Sequence, residues 1–79
     1  MIKIQFYTTL GCHLCEDAEL LLSAMEIKGI IKVQSIDIID DDDLMERYRI
    51  RIPVIKKQDS AEELGWPFDS NSLSQFLDK

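Results

Sequence analysis

The feature that most constrains this chain is a change of hydrophobic period at residue 12. From Ile2 to Tyr7 the residues alternate, with Ile2, Ile4 and Phe6 on one side and Lys3, Gln5 and Tyr7 on the other. Period two over such a run predicts a β-strand. Thr8 to Gly11 is a short connection. From Cys12 to about Lys28 the spacing becomes helical, with Leu14, Ala18, Leu21 and Met25 forming one apolar stripe. Glu16, Asp17, Glu19, Ser23 and Glu26 are expected elsewhere on that helix. Gly29, just beyond it, fits a left-handed C-terminal cap. A strand running into a helix is the opening of an α/β layer, and two cysteines sit at the junction.

The rest of the chain extends that unit. Ile30 to Ile39 is rich in β-branched residues and is expected as a second strand. Its apolar phase slips between Val33 and Ile36, which predicts a bulge or cover on both faces. The acidic run Asp40 to Asp43 caps the start of a helix carrying Leu44 and Tyr48. It is not expected to hold a cation, because consecutive helical side chains diverge whereas Ca²⁺ ligands converge from alternate loop positions. Pro53-Val54-Ile55 reads as a third strand ending in a turn from Lys56 to Ser60, and Ala61 to Leu64 as a short fourth. Gly65-Trp66-Pro67-Phe68 is a loop, after which Asp69 or Ser70 caps a helix carrying Leu73, Phe76 and Leu77. The order is β-α-β-α-β-β-α. The first two strands, joined by a helix, are expected to be parallel with a right-handed crossover, and the last two to form an antiparallel hairpin.

Composition narrows the function classes. The 79 residues suffice for one small domain, and 46% hydrophobic with 30% charged residues is a globular balance. Nine basic against fifteen acidic residues give a net charge of -6, so nucleic acid and anionic membrane surfaces are not expected partners. The longest wholly apolar run, Leu20-Leu21-Leu22, is far short of the roughly 20 residues that span a bilayer. The start, Met1-Ile2-Lys3-Ile4-Gln5, lacks the apolar stretch of a secretory signal, so a cytoplasmic location is expected.

Cys12 and Cys15, separated by His13 and Leu14, close too small a loop to act as a structural staple. Helical residues three apart lie about 5–6 Å from each other, within the range a disulfide accepts. At the mouth of the helix, Cys12 meets unpaired N–H groups and the positive end of the dipole, both of which favour its thiolate. Cys15, one turn in, is more shielded and can attack a mixed disulfide formed at Cys12. Both thiols are read as lying in the polar junction, off the apolar stripe. A protonated His13 would add to the dipole, or it is simply an exposed side chain; Glu16 and Asp17 oppose a thiolate. The net expectation is a lowered Cys12 pKa. Two cysteines and one histidine do not fill a structural zinc site, and Glu16 stands where covalent haem attachment needs a histidine. No metal is therefore expected within one chain, although two chains could share an iron–sulfur cluster.

Phe6 to Cys15, Val33 to Ile38 and Arg51-Ile52-Pro53-Val54-Ile55 together resemble a glutaredoxin-like member of the thioredoxin superfamily. The resemblance spans nearly the whole chain. It implies a four-stranded mixed sheet flanked by three helices, Cys12 as nucleophile, Cys15 as resolving thiol, and Pro53 as a cis proline beside them. It also implies that substrates pair with the backbone at Ile52–Pro53. Typical glutaredoxins carry Pro-Tyr or a similar pair between the cysteines, where this chain has His13-Leu14. Thr9 stands where they often have a glutathione-contacting lysine, Arg51 where threonine is usual, and Gly65-Trp66-Pro67-Phe68-Asp69 replaces a Gly-Gly-x-Asp-like loop. Arg51 either replaces the lysine as an anion contact or is a surface charge. Trp66 and Phe68 either dock a partner or staple the last helix to the sheet. The function implied is thiol–disulfide exchange, with no cofactor, on disulfide-containing proteins or low-molecular-weight thiols. The chain would act as a monomer, recycled by a reductant such as glutathione or thioredoxin reductase. The rival expectation is a non-catalytic module of the same fold that docks a partner protein or holds an inter-subunit cluster.

Overall fold

Eight short elements build the chain, and the structure, a computed structural model, describes residues 1–78. They are β1 (Ile2–Thr8), α1 (His13–Ile27), β2 (Ile31–Asp37), a 3₁₀ turn (Ile38–Asp40), α2 (Asp42–Tyr48), β3 (Val54–Lys57), β4 (Glu63–Gly65) and α3 (Ser70–Leu77). The sheet runs β2-β1-β3-β4, with β1 parallel to β2 and both the β1–β3 and β3–β4 pairs antiparallel. This is the thioredoxin-like arrangement of a four-stranded mixed sheet with three helices.

Local chemistry sets the element ends. Gly29, at φ +76°, closes α1: its N–H donates to the Glu26 carbonyl at 2.9 Å and the Ile30 N–H to Met25 at 3.1 Å. That is a Schellman cap, and it needs the left-handed conformation glycine adopts without a Cβ penalty. Asp41 caps α2 by accepting from the Asp43 and Leu44 N–H groups at 2.9 and 3.3 Å. The aspartate run is thus a helix start, as its composition predicts. Asp69 caps α3 in a reciprocal capping box with Ser72.

Each sheet face has its own core. Ile4, Phe6, Ile31 and Ile55 pack against Ala18 and Leu22 of α1 and against Leu73 and Phe76 of α3. On the other face Tyr7 and Val54 pack with Ile38 and with Tyr48 of α2. This two-sided cover explains the phase slip in β2. Ile31 is buried on the first face, Ile36 packs on the second, and the seven-pair register with β1 runs without a bulge.

Four expectations are corrected. The buried stripe of α1 is Cys15, Ala18 and Leu22, while Leu14 is half exposed and Leu21 and Met25 lie at the margin. Phe6 and Tyr7 are both buried, because α2 covers Tyr7 on what looks like a polar side. The second strand ends at Asp37, whose side chain accepts from the Ile39 N–H at 3.0 Å and starts the 3₁₀ turn. Finally, β4 begins at Glu63, two residues after Ala61, and includes Gly65, since Val54 pairs with Gly65 and Lys56 with Glu63.

Candidate redox site

The parallel strand β1 delivers the chain to one end of the sheet, where Gly11, at φ +81°, turns it into α1. Cys12 is the N-cap of that helix, and its sulfur accepts from the Cys15 N–H at 3.2 Å. The sulfur thus sits on one of the helix's orphan donors. Cys12 and Cys15 are joined as a disulfide across a Cα–Cα separation of 5.2 Å. Their environments differ: Cys12 is half-buried, whereas Cys15 is only 3% exposed and belongs to the core between α1 and the sheet. Cys15 therefore departs from the expectation that both thiols lie off the apolar stripe. Its sulfur occupies the position of a small hydrophobe on the buried face.

A hollow of about 350 Å³ adjoins the pair, lined among others by Thr8, Thr9, Leu10, Ser35 and Asp37. His13 lies outside it, with a side chain 92% exposed and Nδ1 3.7 Å from the Glu16 carboxylate.

Ile52 and Trp66 pack against one core cluster, and Pro53 meets Trp66 through the backbone. The Ile52–Pro53 peptide is cis, as is Trp66–Pro67. Pro53 is buried, and its carbonyl accepts from the Trp66 N–H at 3.0 Å. Cys12, Ile52 and Trp66 are all partly buried against the same core cluster. Trp66 meets Phe68 edge-on, with centroids 5.0 Å apart, and Phe68 is only 6% exposed within the core. Phe68 is therefore a staple beneath α3 and offers no docking surface, while Trp66 keeps part of its ring outside.

Arg51 is tied inward. Its Nη2 donates to Glu63 Oε1 at 2.8 Å, and its guanidinium lies over the Tyr48 ring, 5.2 Å from the centroid. The Tyr48 hydroxyl donates to the other Glu63 oxygen, and the Tyr48 ring stacks on Tyr7 with centroids 4.4 Å apart. The Arg51 and Ile52 N–H groups both donate to the Tyr48 carbonyl, at 2.7 and 3.0 Å. Tyr48 and Glu63 thus fasten the segment leading into Pro53 to α2 on one side and β4 on the other. Burial, then the Glu63 bond and charge, push the Tyr48 hydroxyl up to about 12. Burial alone would raise the Glu63 carboxyl, but the bonds from Tyr48 and Arg51 outweigh it and hold it below its ordinary value. Reading the sequence did not find this network. Tyr48 and Glu63 are 15 residues apart on different elements, so no local periodicity links them.

The model of one protein family, the Glutaredoxin-like domain (DUF836), matches residues 3–78. The structure of target protein XcR50 from X. campestris is similar, at 33% identity over 95% of both chains with a TM-score of 0.82. Protein Ne2328 from Nitrosomonas europaea is similar at 28% identity over 95% of this chain and 89% of that one, with a TM-score of 0.80. Thioredoxin 1 from Thermosipho africanus, at 14% identity over 98% of this chain and 91% of that one, shares the fold with a TM-score of 0.71. Among curated proteins no match is found. With nearly its whole length matched and a Cys-x-x-Cys pair at the start of its first helix, the chain belongs to the glutaredoxin-like domain family.

Proposed function

We propose that this chain is a thiol–disulfide oxidoreductase. The observation that carries the reading is the asymmetry of the pair: a partly exposed cysteine at the helix mouth, linked to a core-buried cysteine one turn in. In the reduced protein the Cys12 thiolate is favoured by the Cys15 N–H and by the helix N-terminus. It attacks one sulfur of a substrate disulfide, forming a mixed disulfide and releasing the other sulfur as a thiolate. Cys15 then loses its proton and attacks the Cys12 sulfur. The intramolecular disulfide forms, the second substrate thiol leaves, and two electrons have passed to the substrate.

Burial of Cys15 favours this order, since Cys12 is the more exposed of the two. Ile52 and Pro53 supply the backbone against which a substrate lies, and Trp66 walls that surface. Arg51 acts through its bond to Glu63 by holding the loop, and His13 tunes Cys12 only when protonated. The substrates are disulfide-containing proteins or low-molecular-weight disulfides, and a reductant such as glutathione or thioredoxin reductase restores the dithiol. Among the described residues no helix is long and apolar enough to cross a membrane.

The test is disulfide reduction by the wild-type chain, Cys12→Ser and Cys15→Ser, with mixed disulfides read by mass. Wild type is expected to turn over, Cys12→Ser to be inactive, and Cys15→Ser to accumulate a mixed disulfide at Cys12. Full activity in Cys12→Ser would overturn the mechanism.

A further inference from the structure

The two faces of the sheet are covered unequally. The seven residues of α2 span about 10 Å, whereas the seven of β1 run about 23 Å. The half of the second face beyond α2 carries Lys3 and Gln5 of β1, Lys32 and Gln34 of β2, and Lys56 of β3, with Gln58 following. The register places Lys3 opposite Lys32, and Gln5 opposite both Gln34 and Lys56. Lys3, Gln5, Lys32, Gln34 and Gln58 line a hollow of about 330 Å³.

The ordinary reading of such a strip is the solvated side of a half-covered sheet. Its charge distribution goes further. The chain holds fifteen acidic residues against nine basic ones, yet the strip contains no carboxylate. Like charges directly opposite each other on adjacent strands are unfavourable. Among the described residues neither Lys3 nor Lys32 makes an ion pair or hydrogen bond that would offset it. The nearest acid across from Lys56 is Glu63, whose two oxygens are already taken by Tyr48 and Arg51. The Tyr7 hydroxyl donates to Gln5 Oε1 at 3.1 Å, which leaves the Gln5 amide N–H groups to donate outward.

We propose that this strip docks an acidic polypeptide segment of a partner protein, laid across β2, β1 and β3. Carboxylates spaced along an extended chain complement the opposed lysines, and the glutamine amides donate to them. The segment lies on the face rather than adding to the sheet edge. The outward Val33 N–H of edge strand β2 is already taken by the Glu26 carboxylate at 3.0 Å. A long polyanion such as nucleic acid fits less well, because the net charge of -6 repels it beyond the strip. Lys3 stands about 17 Å along β1 from Thr8, so a docked segment leaves the cysteine end open.

The test is an NMR titration of the whole chain with a short Glu/Ser-rich peptide, a Lys/Ser-rich peptide and inorganic phosphate. The acidic peptide is expected to shift the amides of Lys3, Gln5, Lys32 and Gln34, and its binding to weaken as salt is raised. Replacing Lys3→Glu and Lys32→Glu together should lower affinity about tenfold or more, with disulfide reduction unchanged. Lys32→Gln alone, which relieves a repulsion and so should fold, is expected to lower affinity by a smaller factor. Shifts confined to other surfaces, or insensitivity to both sets of substitutions, would overturn the proposal. Phosphate alone producing the same shifts at equal affinity would overturn the polypeptide assignment. A Cys12→Ser, Cys15→Ser chain should bind the peptide normally, so docking and redox activity fail or succeed separately.

Discussion

Replacing Tyr48 with phenylalanine isolates the network that fastens the Pro53 segment. The ring stays, so its stack on Tyr7 and its contact beneath Arg51 survive; only the hydroxyl that donates to Glu63 is lost. A hydrogen bond to a charged partner contributes about 1.5–3 kcal/mol. Glu63 keeps its Arg51 bond and its side chain is 25% exposed, so water recovers part of the loss. The expected destabilisation at neutral pH is therefore at the low end, about 1–2 kcal/mol. Alkaline pH provides a second readout. Tyr48 titrates at 10.0 when unfolded and near 12 when folded, so its stabilisation is complete below 10 and is lost as pH rises toward 12. Two pH units correspond to about 2.7 kcal/mol, an upper bound on that loss. Urea unfolding of both proteins across this range measures both effects, with tyrosinate absorbance reporting the titration. The variant should be weaker at neutral pH and should lack this part of the alkaline decline. Equal stability at neutral pH together with the same alkaline limb would refute the role given to the Tyr48–Glu63 bond.

Other expected outcomes follow from packing and caps. Leu22→Ala removes a side chain 2% exposed between α1 and the sheet and should cost about 2–5 kcal/mol, whereas Leu20→Ala, 73% exposed, should cost less than about 0.5 kcal/mol in the same melts. Gly29→Ala meets nothing within 4 Å but forces a Cβ onto φ +76°, so chemical denaturation should show a loss of about 1–2 kcal/mol from backbone strain alone. Asp69→Ala should lower the melting temperature by uncapping α3. The Ser72 N–H, then its hydroxyl, hold the Asp69 carboxyl below its ordinary value of 3.8. The wild-type advantage should therefore be present above that pH and fade as pH falls below it. Glu63→Gln should likewise flatten the acid limb, because the Glu63 contribution is present above 4.5 and is lost below it.

Element order and the place of the cysteine pair at a helix mouth were legible because both rest on short-range patterns. Alternation in Ile2 to Tyr7, the helical spacing after Cys12, Gly29 as a stop and the aspartates at two helix starts all act within a few residues. The same locality misled wherever a distant element supplied the partner. Leu21 and Leu22 are equally apolar, and only the angle at which α1 meets the sheet buries Leu22 and turns Cys15 into the core. Tyr7 looks solvent-facing until α2 covers it, and of the two readings open to Phe68 only its packing with α3 selects the staple. Arg51 reads as an anion contact or a surface charge, yet Glu63, twelve residues on, pairs with it. By itself, then, the sequence determined the β-α-β-α-β-β-α order and a cysteine pair at a helix mouth, since backbone propensity and capping are settled among near neighbours. How deeply Cys15 enters the core, which charges are paired and which sheet face stays open were decided only by tertiary packing, because burial and charge pairing depend on residues far apart along the chain.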